Sequence, residues 1–259
     1  MGILQTAERS TQLDPSENVI FQRHLIAYKE ASKIINKGTV LEIGSGEGYA
    51  IIELLKNADK YIAIDKYNTE IPESVKDNNK IEFKQHEVPP IKDIADNSVD
   101  FVVTFQVIEH IEDDKFFISE IYRVLKPGGK LILTTPNSKM SLSRNPWHVR
   151  EYTVNQMEDI LSTSFSNFVI QGVYGNENVM RYYEKNKASV NRIMRWDIFN
   201  LQYLLPRKLL QIPYDILNRF NRKNLRNQNK SIVQKVHFSD YSIQESSESS
   251  FDHFCIATK

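Results

Sequence analysis

A chain of 259 residues with 41% hydrophobic and 25% charged side chains can bury a sizeable core, which excludes extensive disorder. Its formal net charge of zero gives no global attraction to nucleic acid, and its single cysteine, Cys255, excludes an internal disulfide framework and fits a reducing compartment. No stretch approaches about 18 continuous apolar residues, and Met1–Asp14 lacks an apolar run of signal-peptide length, so the expectation is a cytoplasmic protein without a membrane span.

The periodicity changes character along the chain. Val19, Ile20, Leu25, Ile26, Ala31, Ile34 and Ile35 repeat at helical spacing over residues 18–36. Thr39–Ile43 is a short apolar, β-branched strand, followed by glycines and then by Ala50, Ile51, Leu54 and Leu55 at helical spacing. Tyr61–Ile64 closing at Asp65, Ile81–Lys84 and Phe101–Phe105 read as further strands, and Phe117, Ile121, Val124 and Leu125 as a helix face between strands. Lys126-Pro127-Gly128-Gly129 supplies helix-ending and turn chemistry before a strand at Lys130–Thr135.

A helix near Thr153–Thr163, with Thr153 as N-cap, precedes a strand at Phe168–Val173. Strands alternating with helices predict a parallel sheet covered on both faces, because each parallel crossover travels back over the sheet. The rhythm breaks over residues 176–235, where Pro206 and Pro213 cut the chain into short helical pieces. A loop at Gln244–Ser250 and a strand at Phe254–Ala257 finish the pattern. The expected organisation is a helical cover (1–38), an α/β core (39–175), a basic helical insert (176–235) and a sheet-completing strand (236–259).

Val40-Leu41-Glu42-Ile43-Gly44-Ser45-Gly46-Glu47-Gly48-Tyr49 places a glycine-rich turn at a strand's carboxyl end, where ligands of open α/β sheets bind. A dinucleotide fingerprint wants G-x-G-x-x-G, whereas these glycines fall at 44, 46 and 48. Glu42 can accept from the ammonium of an amino-acid cofactor, a group that a pyrophosphate lacks. Asp65 ends the second strand, where a carboxylate can accept from the two hydroxyls of a ribose.

With these features in place, the sequence resembles the class I S-adenosylmethionine-dependent methyltransferases. It is similar to the methyltransferase type 11 group, which includes ubiquinone-biosynthesis-like enzymes and those of sugar and polysaccharide pathways. The resemblance rests on Val40–Gly48, Asp65, Asn97-Ser98-Val99-Asp100-Phe101, Gln106-Val107-Ile108-Glu109-His110-Ile111 and Arg123-Val124-Leu125-Lys126-Pro127-Gly128-Gly129, in the family's order. It implies a doubly wound, mainly parallel, seven-stranded sheet with S-adenosyl-L-methionine as cofactor. Glu42, Gly44 and Gly46 would meet the methionine end, Asp65 the ribose, and Gln106 the methionine side. Ser45, Lys66 and Val88 complete the expected cofactor set. The family's strand-three Asp is replaced by Gln85-His86-Glu87-Val88-Pro89-Pro90, which leaves Glu87 as the adenine contact.

Methyl transfer from a sulfonium asks mainly for alignment and exclusion of water, with a general base only for a hydroxyl or protonated amine acceptor. His110 and His148 are the candidates, and no metal ligands are expected. Asn145-Pro146-Trp147-His148-Val149-Arg150-Glu151-Tyr152 follows strand five, at the expected mouth of the site, and a similar run occurs in polysaccharide and nucleotide-sugar methyltransferases. Trp147 could stack on a sugar or aromatic acceptor and Arg150 bind a phosphate or carboxylate, with Tyr152, Arg23 and Tyr28 as further substrate contacts.

Between Arg181 and Lys230 twelve Lys or Arg face only Glu184, Asp197 and Asp215, a local charge of +9. Mixed with Trp196, Ile198, Phe199, Tyr203, Leu204, Leu205, Leu209, Leu210, Tyr214, Leu217 and Phe220, this charge suits a lid over the acceptor or a peripheral contact with anionic lipid. The expected partner is a small-molecule, glycan or lipid-linked acceptor, with no nucleic acid. Two other readings stay open: a nicotinamide-dependent oxidoreductase, and a non-catalytic S-adenosylmethionine-binding partner protein.

Overall fold

Thr39–Ile43 (β1) pairs in parallel with Lys60–Asp65 (β2) on one side and with Val99–Phe105 (β4) on the other. Ile81–Gln85 (β3) lies outside β2, and Leu125–Pro136 (β5) lies beyond β4. With Asn167–Gly175 (β6), Tyr241–Glu245 (β7) and Asp252–Thr258 (β8), the strand order is β3-β2-β1-β4-β5-β8-β6-β7. β8 is antiparallel to both its neighbours and β7 is antiparallel to β6, so β1 to β6 share one direction and β7 and β8 oppose it. This computed structural model describes residues 15–48, 51–67, 75, 78–197, 199–228 and 230–259; the segment 1–14, Tyr49, Ala50 and Ile198 lie outside them.

The architecture is the expected doubly wound α/β sheet, with eight strands rather than seven among the described residues. The extra strand is β7, which takes in Gln244 and Glu245 from the expected loop. It pairs only with β6, so it is an edge strand that buries little beyond Tyr241, and its apolar signal is correspondingly weak. Two further expectations change. Lys126–Gly129 lies within β5 as an irregularity in its pairing with β4, so these glycines bend a strand rather than separate it from the preceding helix. Pro213 lies inside a single helix, because proline deletes only its own amide donor and the flanking turns carry the helix past it.

Alternation along the strands divides the core into two layers. Val40, Ala63, Val103 and Ile132 point to one face, where they meet α1 (Asn18–Ile34), α2 (Ile51–Leu55) and α5 (Glu177–Met194). Leu41, Ile43, Ile62, Ile64, Leu131 and Leu133 point to the other, against α3 (Asp114–Val124) and α4 (Val154–Ser162). Thr153 caps α4 as expected, in a reciprocal box with Gln156. The remaining helices, α6 (Leu201–Leu204), α7 (Arg207–Gln228) and α8 (Lys230–Lys235), lie between β6 and β7.

Much of the motif series that carries the family resemblance works at the amino ends of the strands. The Asp100 carboxylate accepts from the Thr39 amide and from Lys126 Nζ, each at 2.8 Å. Arg123 donates to Glu120, Asp96 and the carbonyls of Ile91 and Ile94. These contacts tie strand starts together, at the opposite end of the sheet from β1's glycine turn. Strand order reverses between β1 and β4, so the crevice for a ligand opens beyond Ile43 and Phe105.

Candidate active site

At the end of β1, Glu42 is buried, 2% exposed, on the face that carries Tyr28 of α1. Tyr28 Oη donates to its Oε1 at 2.7 Å, and the Tyr61 hydroxyl of β2 donates to Oε2. Burial pushes the Glu42 carboxyl up to about 7. The Tyr28 hydrogen bond opposes that shift, and the negative charge of Asp65 adds to it. Tyr28 therefore acts on the carboxylate rather than facing a substrate, and its ring stacks edge-on against Phe105 at 4.7 Å.

Two glycines of the turn do different work. A Cβ on Gly44 would sit 2.3 Å from Val107 Cγ2, so this glycine lets the β1 turn pack against the residue following Gln106. A Cβ on Gly46 would meet nothing within 4 Å. Both have positive φ, +82° and +56°. Asp65 Oδ2 accepts from the Gly46 amide at 2.9 Å and Oδ1 from the Tyr67 amide at 2.8 Å, which holds the carboxylate against the turn. Ser45 is buried, and its amide donates to the Ile64 carbonyl.

This set fits a cationic amino-acid nucleoside. It offers an open cradle at Gly46 between two carboxylates, where a pyrophosphate would meet like charge. Lys66 is exposed with its ammonium over the Tyr67 ring, Glu87 is exposed, and Val88 packs partly into the core.

Gln106, just past β4, has a left-handed φ of +56°, a conformation uncommon outside glycine that marks over-determined positions. It also lines a cavity of about 270 Å³ that opens past the carboxyl ends of β4 and β5. Glu109, His110, Asn145, His148 and Glu151 form one wall, Arg23 and Tyr183 contribute from α1 and α5, and Tyr214, Asn218 and Asn221 contribute from α7. The structure thus brings together both expected histidines, Gln106 and Arg23.

Polar contacts close the histidine wall. The Glu109 carbonyl accepts from the amides of Val149 and Arg150, which pins the 145–150 loop beside His110. The two imidazoles meet edge to face at 4.9 Å. His110 Nδ1 lies 3.1 Å from the Trp147 carbonyl and His148 Nδ1 lies 2.7 Å from Glu151 Oε1. Both partners only accept, so each neutral ring carries its proton on Nδ1 and its lone pair on Nε2. Asn145 Nδ2 donates to His148 Nε2 at 2.8 Å, in keeping with that tautomer.

Three other expected substrate residues are committed elsewhere. Arg150 pairs with Asp114 and donates to the Glu112 carbonyl, and Tyr152 donates to the same Asp114 at 2.9 Å. Burial and Asp114 both push the Tyr152 phenol up, so it stays protonated. Trp147 Nε1 donates to Asp215 of α7 at 2.9 Å, so this side chain fastens the insert to the loop. Arg23 pairs with the buried Asp252 at 3.1 Å while lining the cavity. Residue typing alone missed Glu151, although its place three residues after His148 was a readable signal. Tyr61, Asn218 and Asn221 gave none, whereas Tyr214 stood among the residues of the expected lid.

Residues 41–133 match the family model described as a methyltransferase domain. A protein of Mycolicibacterium smegmatis named "probable S-adenosylmethionine-dependent methyltransferase" is 33% identical over 164 residues, 61% of this chain and 63% of that protein. The chain thus spans less than two thirds of that relative's length. A ubiquinone biosynthesis O-methyltransferase of Rickettsia conorii is 29% identical over 114 residues, 42% of this chain and 39% of that one. The solved structure of an S-adenosylmethionine-dependent methyltransferase from Thermotoga maritima covers 92% of each chain with a TM-score of 0.53 at 16% identity, which shows a shared fold. Residues 41–133 therefore form a methyltransferase domain, and the chain around it is similar to S-adenosylmethionine-dependent methyltransferases.

Proposed function

We propose that the protein transfers a methyl group to an oxygen of a small, glycan-like or lipid-linked acceptor held in the cavity beside Gln106. The cofactor supplies an electrophilic methyl on a sulfonium, with Glu42, the 44–46 turn, Asp65 and Gln106 as the residues that would hold it. The observation that carries the reading is the His148–Glu151 pair on the cavity wall. Glu151 fixes the tautomer, and Nε2, which accepts from Asn145, takes a proton from an acceptor hydroxyl that displaces that contact. Oxygen is favoured because an alkyl hydroxyl needs such a base, whereas a neutral amine does not. The cavity falls near the lower end of ligand pockets, roughly 300 to 1,000 Å³, so it suits one small unit of an acceptor.

Single-turnover transfer from methyl-labelled S-adenosylmethionine to candidate acceptors tests this. His148→Ala should lower the transfer rate about 10²- to 10⁴-fold while the affinity for S-adenosylhomocysteine stays within about twofold. An unchanged rate would remove His148 as the base, and binding without transfer to any acceptor would favour the non-catalytic reading.

We also propose that the insert meets an anionic membrane surface. α7 is oriented in reverse for a surface helix: its polar residues Asn218 and Asn221 face the cavity, whereas Leu209, Ile212, Ile216 and Phe220 are exposed at helical spacing. Trp196 is 87% exposed and Leu204 73%, and Arg192, Arg195, Lys208, Arg219 and Lys223 are exposed around them. An apolar face ringed by cations matches interfacial insertion into acidic lipid. The protein should co-sediment with phosphatidylglycerol vesicles and not with phosphatidylcholine alone. Ile216→Asp with Phe220→Asp should cut that binding at least tenfold. Equal binding by the double variant, or a concentration-dependent dimer that the variant abolishes, would transfer the face to another role.

A further inference from the structure

One cluster on the cavity wall goes beyond acid–base chemistry. A carboxylate oxygen of Glu109 and one ring nitrogen each of His110 and His148 lie within 4.8 Å of one another. Two imidazoles and one carboxylate, presented to a cavity, form the donor set of divalent transition-metal sites with open positions.

The surrounding hydrogen bonds make the case stronger. In metal sites the ligating imidazole donates its other N–H to a carboxylate or a backbone carbonyl, which fixes tautomer and ring orientation. Both rings meet that requirement, His110 Nδ1 against the Trp147 carbonyl and His148 Nδ1 against Glu151. The third donor is supported as well: Glu109 is 1% exposed, and its Oε2 accepts from Thr135 Oγ1 at 2.9 Å.

We propose that Glu109, His110 and His148 bind one divalent transition cation of the zinc type on the wall of the acceptor cavity. Two nitrogen donors favour such a borderline ion over magnesium, which prefers oxygen and keeps its water. Ligand atoms around zinc lie about 3.3 Å apart when each bond is about 2.0–2.1 Å, so the three donors, within 4.8 Å of one another, draw together on binding. Asn145 then gives up its contact with His148 Nε2 and that lone pair goes to the cation, so the base role proposed for His148 belongs to the cation-free protein. The coordination positions left over point the site toward acceptors with an oxygen donor, a hydroxyl or a vicinal diol. That last clause rests on the proposed function, and the cation binding itself does not.

The full-length protein, stripped with chelator, is titrated with Co²⁺ and followed by visible absorption, with S-adenosylhomocysteine calorimetry run in parallel. One Co²⁺ per chain is expected, displaced by Zn²⁺ and not by equimolar Mg²⁺. Glu109→Gln and His148→Ala should each weaken Co²⁺ at least tenfold. Should either variant fail to fold, Glu151→Gln, which replaces the carboxylate that supports His148 Nδ1 and accepts from Ser141, should weaken it about tenfold. Absence of the absorption band with homocysteine-nucleoside binding intact overturns the cation site and leaves the methyltransferase reading standing. So does a band unchanged in His110→Ala with His148→Ala. A normal Co²⁺ site in a protein that binds no S-adenosylhomocysteine supports the cation site and overturns the functional reading.

Discussion

Replacing Glu42 by Gln should make the protein more stable at pH 8 and nearly unable to bind S-adenosylhomocysteine. In the wild type, burial raises this carboxyl from 4.5 to about 7, so the native state holds its proton more tightly than the unfolded chain does. Native stability therefore falls as pH rises from about 4.5 to about 7, and the loss is complete above that window. The shift corresponds to at most about 3 kcal/mol at 1.36 kcal/mol per unit. Gln keeps partners for both tyrosine hydroxyls without the charge, so the variant should melt roughly 5–10 °C higher at pH 8 and nearly level with wild type at pH 4.5.

Binding runs the other way. An ammonium donating to the ionised carboxylate stabilises the complex by about 1.5–3 kcal/mol, so the Gln variant should lose ten- to hundredfold or more in affinity. Ligand binding to the wild type near pH 6.5 should also release a proton, visible as a buffer-dependent enthalpy. Melting curves across pH together with calorimetry decide this. Unchanged affinity in Glu42→Gln would remove Glu42 from the amino-acid site, and a flat pH dependence would show its carboxyl to be unstrained.

The second large effect separates two glycines two residues apart. Gly44→Ala should cost roughly 3 kcal/mol or more, because its Cβ would press into a β-branched methyl of Val107 while φ stays at +82°. Gly46→Asn should fold nearly as well as wild type, since Asn tolerates the left-handed region and no atom lies near the added Cβ. Its side chain would fill the space assigned to the nucleoside, so affinity for S-adenosylhomocysteine should drop about a hundredfold. Denaturant unfolding and calorimetry on both variants make the comparison. Wild-type affinity in Gly46→Asn would mean that the cradle holds nothing.

The halves of the site differ in how far residue order discloses them. Glu42, Gly44, Gly46 and Asp65 sit on consecutive strand ends, and their chemistry follows from a turn that must approach a ligand closely. The cavity beside Gln106 is assembled from α1, the ends of β4 and β5, and helices α5 and α7 far along the chain, so no single local pattern announces it. Trp147, Arg150 and Tyr152 show the limit of reading by residue type. Each can bind a substrate, but Asp215 and Asp114 already occupy them, and which partner a long side chain finds is a matter of tertiary packing. α7 defeats periodicity in the opposite sense, since its apolar stripe implies a buried face and the fold turns that stripe outward. β1, β2 and β4 were readable because inner strands covered on both sides are largely apolar, whereas edge strand β7 is not.

Gly175 and Tyr241 are paired across β6 and β7, so the α-helices described between them leave and re-enter the sheet at one rung of a ladder. Topologically this long excursion is an oversized hairpin tip, and closing it costs only logarithmically more as it lengthens. Its length can change without altering strand order, while Val179, Tyr182, Leu225, Val233 and Val236 anchor it in the core. Under the proposed function, α5 and α7 give the acceptor one wall that can vary apart from the 44–46 turn.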